Sequence, residues 1–293
     1  MFEEVLFPTD GGEGAEQVLD HVLDLAVAHE ATLHVLTAAG PGGDRPDHGD
    51  EVAEAVESEA ETIVADAADR AADRGVETVT TVRRGEPYEA IVEYAEETGV
   101  GLVVMPTHGR TGIERLVLGS TTERVVRRSN APVLTVQPDE ESDLDYPYER
   151  ILVPSDGSDC ATTALSFGAN LAAADDATLN LLSVVDIAHL GLDVRVDLQI
   201  EQLKSNAQQF VDDGVRVATE AGVDEADITG HVETGTSIYR TICSYVDEHD
   251  IDLVVMGTHG RTGLDRYLLG SVTEKILRTA SVPVLTVRER QIE

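Results

Sequence analysis

Short apolar runs alternate along the chain with longer stretches in which apolar residues recur every three or four positions. In the first half the runs are Val5 to Pro8, Thr32 to Leu36, Val76 to Val82, Leu102 to Met105 and Pro132 to Val136. In the second half they are Ile151 to Pro154, Thr178 to Val185, Ile228 to Val232, Leu253 to Met256 and Pro283 to Val287. Runs of this length, bounded by turn residues, predict strands. Between them lie helical patterns such as Glu51 to Arg74, where Val52, Val56, Ala60, Ile63, Ala67 and Ala71 fall on one face. This alternation predicts βαβ crossovers, a parallel sheet and helices on both of its faces. Ligands of such sheets bind beyond the carboxyl ends of the strands, so the informative residues are expected just after each run.

The pattern occurs twice. Val103 to Gly112 is repeated as Val254 to Gly263 with one change, Pro106 to Gly257. Extended through Val136 and Val287, the two segments match at 21 of 34 positions, all 151 residues apart. Pro8-Thr9-Asp10-Gly11 pairs with Pro154-Ser155-Asp156-Gly157 at a separation of 146. A period of this size is a whole domain. The reading is a domain over 1–137, a linker rich in Asp, Glu and Ser over 138–147, and a second domain over 148–293. The last runs of the two halves, Pro132 to Val136 and Pro283 to Val287, are short, apolar and nearly identical. They are expected to pair as antiparallel edge strands and so cover two sheet edges.

Charge changes the picture more than hydropathy does. There are 56 Asp and Glu against 21 Lys and Arg, a formal net charge of -35, and the only lysines are Lys204 and Lys275. The acids are spread over the whole chain instead of forming a tail. Such a surface repels itself in dilute buffer. At 1 M salt, where the screening length is ~3 Å, that repulsion is damped. A halophilic, salt-adapted protein is therefore expected. No basic stripe is available for a phosphate backbone, which argues against nucleic acid. Cys160 and Cys243 have no CxxC partner and read as thiols of a reducing compartment. No run approaches the length of a membrane span and the first residues carry no cationic leader. The expectation is a soluble, cytoplasmic protein without a membrane partner.

Candidate chemistry follows the strands. After the fourth run of the second half comes Gly257-x-x-Gly260, then nine residues, then Gly270-Ser271. Ser271 with Glu274 predicts a capping box, and the helix it opens offers N–H groups to an anion. A tight loop and a capped helix with nothing bound is the alternative. Neither a Gly-Lys-Ser/Thr phosphate loop nor a Gly-x-Gly-x-x-Gly after the first strand is present. Asp10 and Asp156 suit hydroxyl recognition or, through water, a nucleotide-bound Mg2+; a simple Asx-turn is the alternative. Arg110 and Arg261 place positive charge beside the proposed phosphates or pair with nearby carboxylates. His108 and His259 have no second ligand at metal spacing and read as loop packing, so no metal site is expected. A phosphorylated receiver domain would need an Asp at the end of the third strand, where Arg83-Arg84-Gly85 and Glu233-Thr234-Gly235 stand. No nucleophile is placed beside a base, so catalysis is not expected.

The strand-end Pro-Ser-Asp-Gly-Ser and the G-x2-G-x9-G-S spacing together resemble the nucleotide-binding branch of the universal stress protein family, in a tandem form. The resemblance covers nearly the whole chain, twice. It implies in each half a five-stranded parallel sheet of order 3-2-1-4-5 with helices on both faces, and paired domains. It also implies an adenine nucleotide, ATP or AMP, with Mg2+ accompanying the nucleotide. In the second half Pro154, Ser155 and Asp156 would border ribose and base, and Val184 would meet adenine through its backbone. Gly257, Thr258, His259, Gly260, Arg261, Thr262 and Gly263 would wrap ribose and phosphates, while Ser271, Val272 and Thr273, behind Gly270, would receive the phosphates. The first half carries a weaker version in Pro8, Thr9, Asp10, Ala38, Gly109, Arg110, Gly119, Ser120 and Thr121. There Pro106 lacks an N–H and adds a ring where a ribose would approach. The competing reading is a partner-binding pseudo-dimer without nucleotide. A further homodimer is compatible with the resemblance, and the downstream protein partner is left open.

Overall fold

Each of the ten apolar runs forms a strand, and helices lie between them. The computed structural model describes residues 1–40, 50–107, 118–138, 144–188, 196–260 and 269–289. Contacts divide the chain into two units, Met1–Pro147 and Tyr148–Glu293.

The first unit runs β1 (Glu4–Pro8), α1 (Glu13–Ala28), β2 (Thr32–Ala39), α2 (Asp50–Asp73), β3 (Thr78–Arg84), α3 (Pro87–Thr98), β4 (Leu102–Pro106), α4 (Ser120–Arg128) and β5 (Val133–Val136). Its strands pair in parallel in the order β3-β2-β1-β4-β5. The second unit runs β6 (Arg150–Pro154), α5 (Asp159–Asp175), β7 (Thr178–Asp186), α6 (Val196–Ala221), β8 (Ile228–Gly235), α7 (Ile238–Glu248), β9 (Leu253–Gly257), α8 (Ser271–Thr279) and β10 (Val284–Val287). Its parallel order is β8-β7-β6-β9-β10. Both units therefore have the local order 3-2-1-4-5. In each, the direction of winding reverses between the first and fourth strands, which opens a crevice at their carboxyl ends.

The central strands explain why the apolar runs are continuous. Every residue of β4 and β9 is buried, since helices cover both faces. The outer strands β3 and β8 are half-exposed and polar. Hydropathy misplaces their ends: β3 begins at Thr78 instead of Val76 and continues to Arg84, and β8 continues to Gly235. The parallel ladder to β2 and β7 carries them past the last apolar residue, through Ala39 opposite Arg84 and Asp186 opposite Gly235.

Helix α1 shows how the acidic surface is accommodated. It buries Val18, Leu19, Val22, Leu25 and Ala26 and turns Glu16, Asp20 and Asp24 outward. Arg70 of α2 pairs with Glu16 at 2.6 Å, and Arg74 pairs with Asp20 at 2.9 Å and with Asp24. Pairs this exposed are worth roughly 0–1 kcal/mol each and do not offset the excess of carboxylate.

Two histidines, His21 in α1 and His29 just past its end, are expected to make the first unit acid-sensitive. His21 is buried, and its Nδ1 donates to the Leu144 carbonyl at 3.0 Å. Burial holds its pKa below the ordinary imidazole value, against the smaller opposing effects of that carbonyl, Asp24 and Asp145. His29 packs edge-on to Phe2 and Tyr146. Its pKa falls to about 4, through burial first and the amino-terminal charge second. Both folded values lie below the unfolded one, so the unfolded chain takes up protons first. Their stabilising effect is complete above the unfolded pKa of about 6.5 and is lost as pH falls toward the folded values. Thermal melts between pH 7.5 and 5.5 at fixed high salt are expected to show a falling midpoint, and His29→Gln should flatten that slope. An unchanged slope would contradict the assignment.

Candidate functional site

The crevice of the second unit is a cleft of about 300 Å³. Its floor is the end of β6, where Pro154, Ser155 and Asp156 leave the sheet. Ser155 is held by its own N–H to the Leu182 carbonyl at 2.8 Å, while Ser183 Oγ donates to the Ser155 carbonyl at 3.0 Å. Asp156 then accepts from the Ser158 N–H at 3.0 Å and the Ser158 hydroxyl at 2.6 Å through Oδ1. This is an Asx-turn, and Ser158 goes on to cap α5 through the Ala161 N–H. Gly157 between them has φ +74, a conformation that favours glycine. The turn engages Oδ1. Oδ2 lies against Gly260: a Cβ there would be 2.7 Å from it.

The apolar walls come from Leu182 and Val184 at the end of β7, Met256 of β9, Ala161 of α5, and Ile238 and Ile242 at the start of α7. The far wall is the amino terminus of α8. Here the expected capping box is not formed. Gly270 is the N-cap, Ser271 is the first helical residue, and no side chain caps the helix. The cause is local: the Gly270 N–H donates to the Thr258 carbonyl at 2.8 Å, which fixes the glycine at the strand end and moves Ser271 one place into the helix. Glu274 pairs instead with Arg278 at 2.8 Å. The Thr273 hydroxyl is buried and donates to the Gly257 carbonyl at 2.9 Å. What α8 presents to the cleft is its first backbone N–H groups, with the exposed Ser271 side chain beside them.

The first unit repeats this arrangement. A cleft of about 290 Å³ is lined by Pro8, Thr9, Asp10, Ala38, Gly119, Ser120 and Thr121 among others. Asp10 Oδ1 accepts from the Gly12 N–H at 2.9 Å, Thr37 Oγ1 donates to the Thr9 carbonyl at 2.8 Å, and Thr122 Oγ1 donates to the Pro106 carbonyl at 2.9 Å. Gly119 is the uncapped N-cap of α4, with its N–H on the Thr107 carbonyl at 2.7 Å.

Most of the sequence-selected residues therefore converge. Pro154, Ser155, Asp156, Val184, Gly257, His259, Gly260, Gly270, Ser271, Val272 and Thr273 all line the second cleft. Thr258 is buried beneath it, with its Oγ1 2.8 Å from His259 Nδ1. His108, Gly109, Arg110, Arg261, Thr262 and Gly263 lie outside the described residues. Sequence reasoning missed Ile238 and Ile242, their counterparts Pro87 and Ile91 in α3, and Thr122. The signal was available, because Pro87 and Ile238 stand 151 residues apart, as do Ile91 and Ile242, immediately after the third strand of each unit.

Gly257 needs a different explanation from the one its motif suggests. A Cβ there would meet Cys160 Sγ at 2.8 Å, its carbonyl carbon at 2.9 Å and its carbonyl oxygen at 3.0 Å. The glycine thus admits the first turn of α5 against the end of β9. By the repeat, the residue matching Cys160 is Gly14 and the residue matching Gly257 is Pro106. Bulk has changed sides between the two units, and the first cleft is nearly as large as the second. Gly257→Ala is expected to destabilise the second unit by about 1–3 kcal/mol, the range for overpacking. Because two of the three contacts are backbone atoms, adding Cys160→Ala should not restore it. Full rescue in chemical denaturation would contradict this packing.

Among the described residues, no group of three or more His, Cys, Asp or Glu side chains is arranged to hold a metal ion. No described helix is long and apolar enough to cross a membrane.

Fold and cleft together define a class: two doubly wound α/β units, each with a cleft at its switch point bounded by an Asp turn and an uncapped helix terminus. The model of the universal stress protein family matches residues 1–137 and again 147–288, and the chain belongs to that family. A universal stress protein of Methanocaldococcus jannaschii is 34% identical over 150 residues, covering 50% of this chain and 85% of the relative. Another, from Mycobacterium bovis, is 30% identical over 241 residues, covering 80% of this chain and 78% of its own. The crystal structure of a universal stress protein from Archaeoglobus fulgidus superposes over 98% of both chains with a TM-score of 0.73 at 21% identity, a likeness of fold.

Proposed function

We propose that the clefts bind an adenine nucleotide as a non-catalytic, switch-like ligand of a stress-response protein. The observation that carries this reading is the presence of three chemically different surfaces in one cleft. The slot of Val184, Ile238 and Ile242 suits a flat apolar base. Asp156 beside Gly260 suits ribose hydroxyls, and the uncapped N–H groups of α8 suit phosphate. Mg2+ would accompany the nucleotide, held largely by phosphate and water with Asp156 as an outer partner.

The second cleft is proposed to bind more tightly. Val184 offers more apolar surface than Ala38, and Gly257 keeps an N–H that Pro106 lacks. Full-length protein purified in molar salt, dialysed and then denatured should release adenine nucleotide detectable by chromatography. If extensively washed protein releases none and takes none up on incubation with ATP and Mg2+, the competing reading of a ligand-free pseudo-dimer stands.

A further inference from the structure

The duplication gives each unit an internal comparison, and one place differs in charge. In the first unit Arg83, near the end of β3, lays its guanidinium over the Tyr94 ring, 4.9 Å from the centroid. It also makes a two-pronged contact with the Glu97 carboxylate. The corresponding residues of the second unit are Glu233, Tyr245 and Glu248. Ala38 is in register with Arg83 as Val184 is with Glu233, and both helix residues are displaced by 151. The aromatic ring and the helix carboxylate are kept, but the arginine has become a glutamate.

What remains is a groove of about 360 Å³ bordered by Glu233, Ser244, Tyr245, Glu248 and His249. Tyr245 and His249 are stacked, with centroids 3.8 Å apart and planes at 9°. The Tyr245 hydroxyl is anchored on Asn180 at 3.2 Å. Burial pushes the tyrosine pKa up to about 12, and the negative charge of Glu233 adds to the effect. The cation on the rim, Arg240, is turned to Tyr239, whose hydroxyl accepts from its Nε at 3.0 Å. Tyr245 is itself buried under this stack, so the ring the groove exposes is His249, flanked by two carboxylates, one of which matches the carboxylate that holds a guanidinium in the other unit.

We propose that this groove of the second unit is a binding site for an external guanidinium group, received by Glu233, Glu248 and the exposed ring of His249 stacked on Tyr245. Guanidinium fits better than a divalent ion or ammonium, because a planar fork matches one carboxylate in two-pronged fashion while stacking on a ring. The site is separate from the nucleotide cleft and does not depend on it. The group belongs either to a small guanidinium compound or to an arginine of a protein partner.

The test is amide NMR of the full chain titrated with methylguanidinium chloride at constant ionic strength, with methylammonium chloride as the point-charge control. Saturable shifts are expected in residues 231–249 with a dissociation constant on the order of 1 mM, as befits so small a ligand. Methylammonium should bind at least about fivefold more weakly, and Glu248→Gln should weaken methylguanidinium by a similar factor. Glu233→Arg should abolish binding by filling the groove from within. Arg83→Glu should create a second set of shifts around Tyr94. A capped Gly-Arg-Gly peptide binding more than about tenfold tighter than methylguanidinium would assign the group to a protein arginine; equal or weaker binding would assign it to a free compound. Equal response to methylammonium, or wild-type binding by the Glu233→Arg variant, would overturn the proposal.

Discussion

Asp156→Ala is expected to weaken adenine-nucleotide binding at the second cleft by about ten- to a hundredfold. That range corresponds to the roughly 1.5–3 kcal/mol of hydrogen bonds to a charged acceptor. The structure separates two roles of this side chain. Oδ1 closes the turn to Ser158, and Oδ2 looks toward Gly260. Alanine removes both, so Asp156→Asn is the informative companion, because its amide oxygen can still accept from the Ser158 N–H. If the carboxylate serves ribose or a Mg2+-bound water, asparagine should recover stability but little affinity. Should Asp156→Asn bind nucleotide as well as wild type, the side chain would be a turn-former alone. Asp10→Ala is expected to act in the same way on the first cleft and to leave the second unchanged.

The second large effect is on stability. Raising ionic strength from dilute buffer to molar salt is expected to raise the melting midpoint by on the order of 10 °C or more. The reasoning is a balance of two opposed effects. Salt weakens the surface ion pairs, such as Arg70–Glu16 and Arg216–Glu220, but each contributes little. It also screens repulsion among the carboxylates, and 56 acids against 21 bases leave 35 negative charges that no internal cation can match. Repulsion therefore dominates, and screening stabilises. A midpoint that is flat or falling with salt would show that the charge is accommodated otherwise.

The architecture was legible because it is carried by redundancy. Ten apolar runs, alternating with helical periodicity and repeated at near-constant separation, leave few topologies open. The positions of Asp10, Asp156, Gly119 and Gly270 followed, since ligand residues of such sheets cluster after the strands. The edges of β3 and β8 were less legible, because a ladder to a neighbour holds polar residues that hydropathy cannot place. Ser271 misled for a related reason. Ser-x-x-Glu satisfies the sequence pattern of a capping box, yet the hydrogen bond from the Gly270 N–H to Thr258 decides which residue is the cap. Gly257 carries a motif glycine whose need is set by α5, an element almost a hundred residues earlier in the chain. Ile238 and Ile242 look like any core residues of an amphipathic helix, and only the fold shows that their face borders a cleft. The groove at Glu233 emerges only when the two units are compared through the register of β3 with β2 and of β8 with β7.

The most direct test of nucleotide binding is calorimetric titration of nucleotide-free full-length protein with ATP and Mg2+ in molar salt, repeated on Asp156→Ala and Asp10→Ala. A saturable isotherm is predicted whose tighter phase disappears with Asp156→Ala and persists with Asp10→Ala. Absence of saturable heat in the wild type, or a tighter phase that survives Asp156→Ala and is lost with Asp10→Ala, would contradict it.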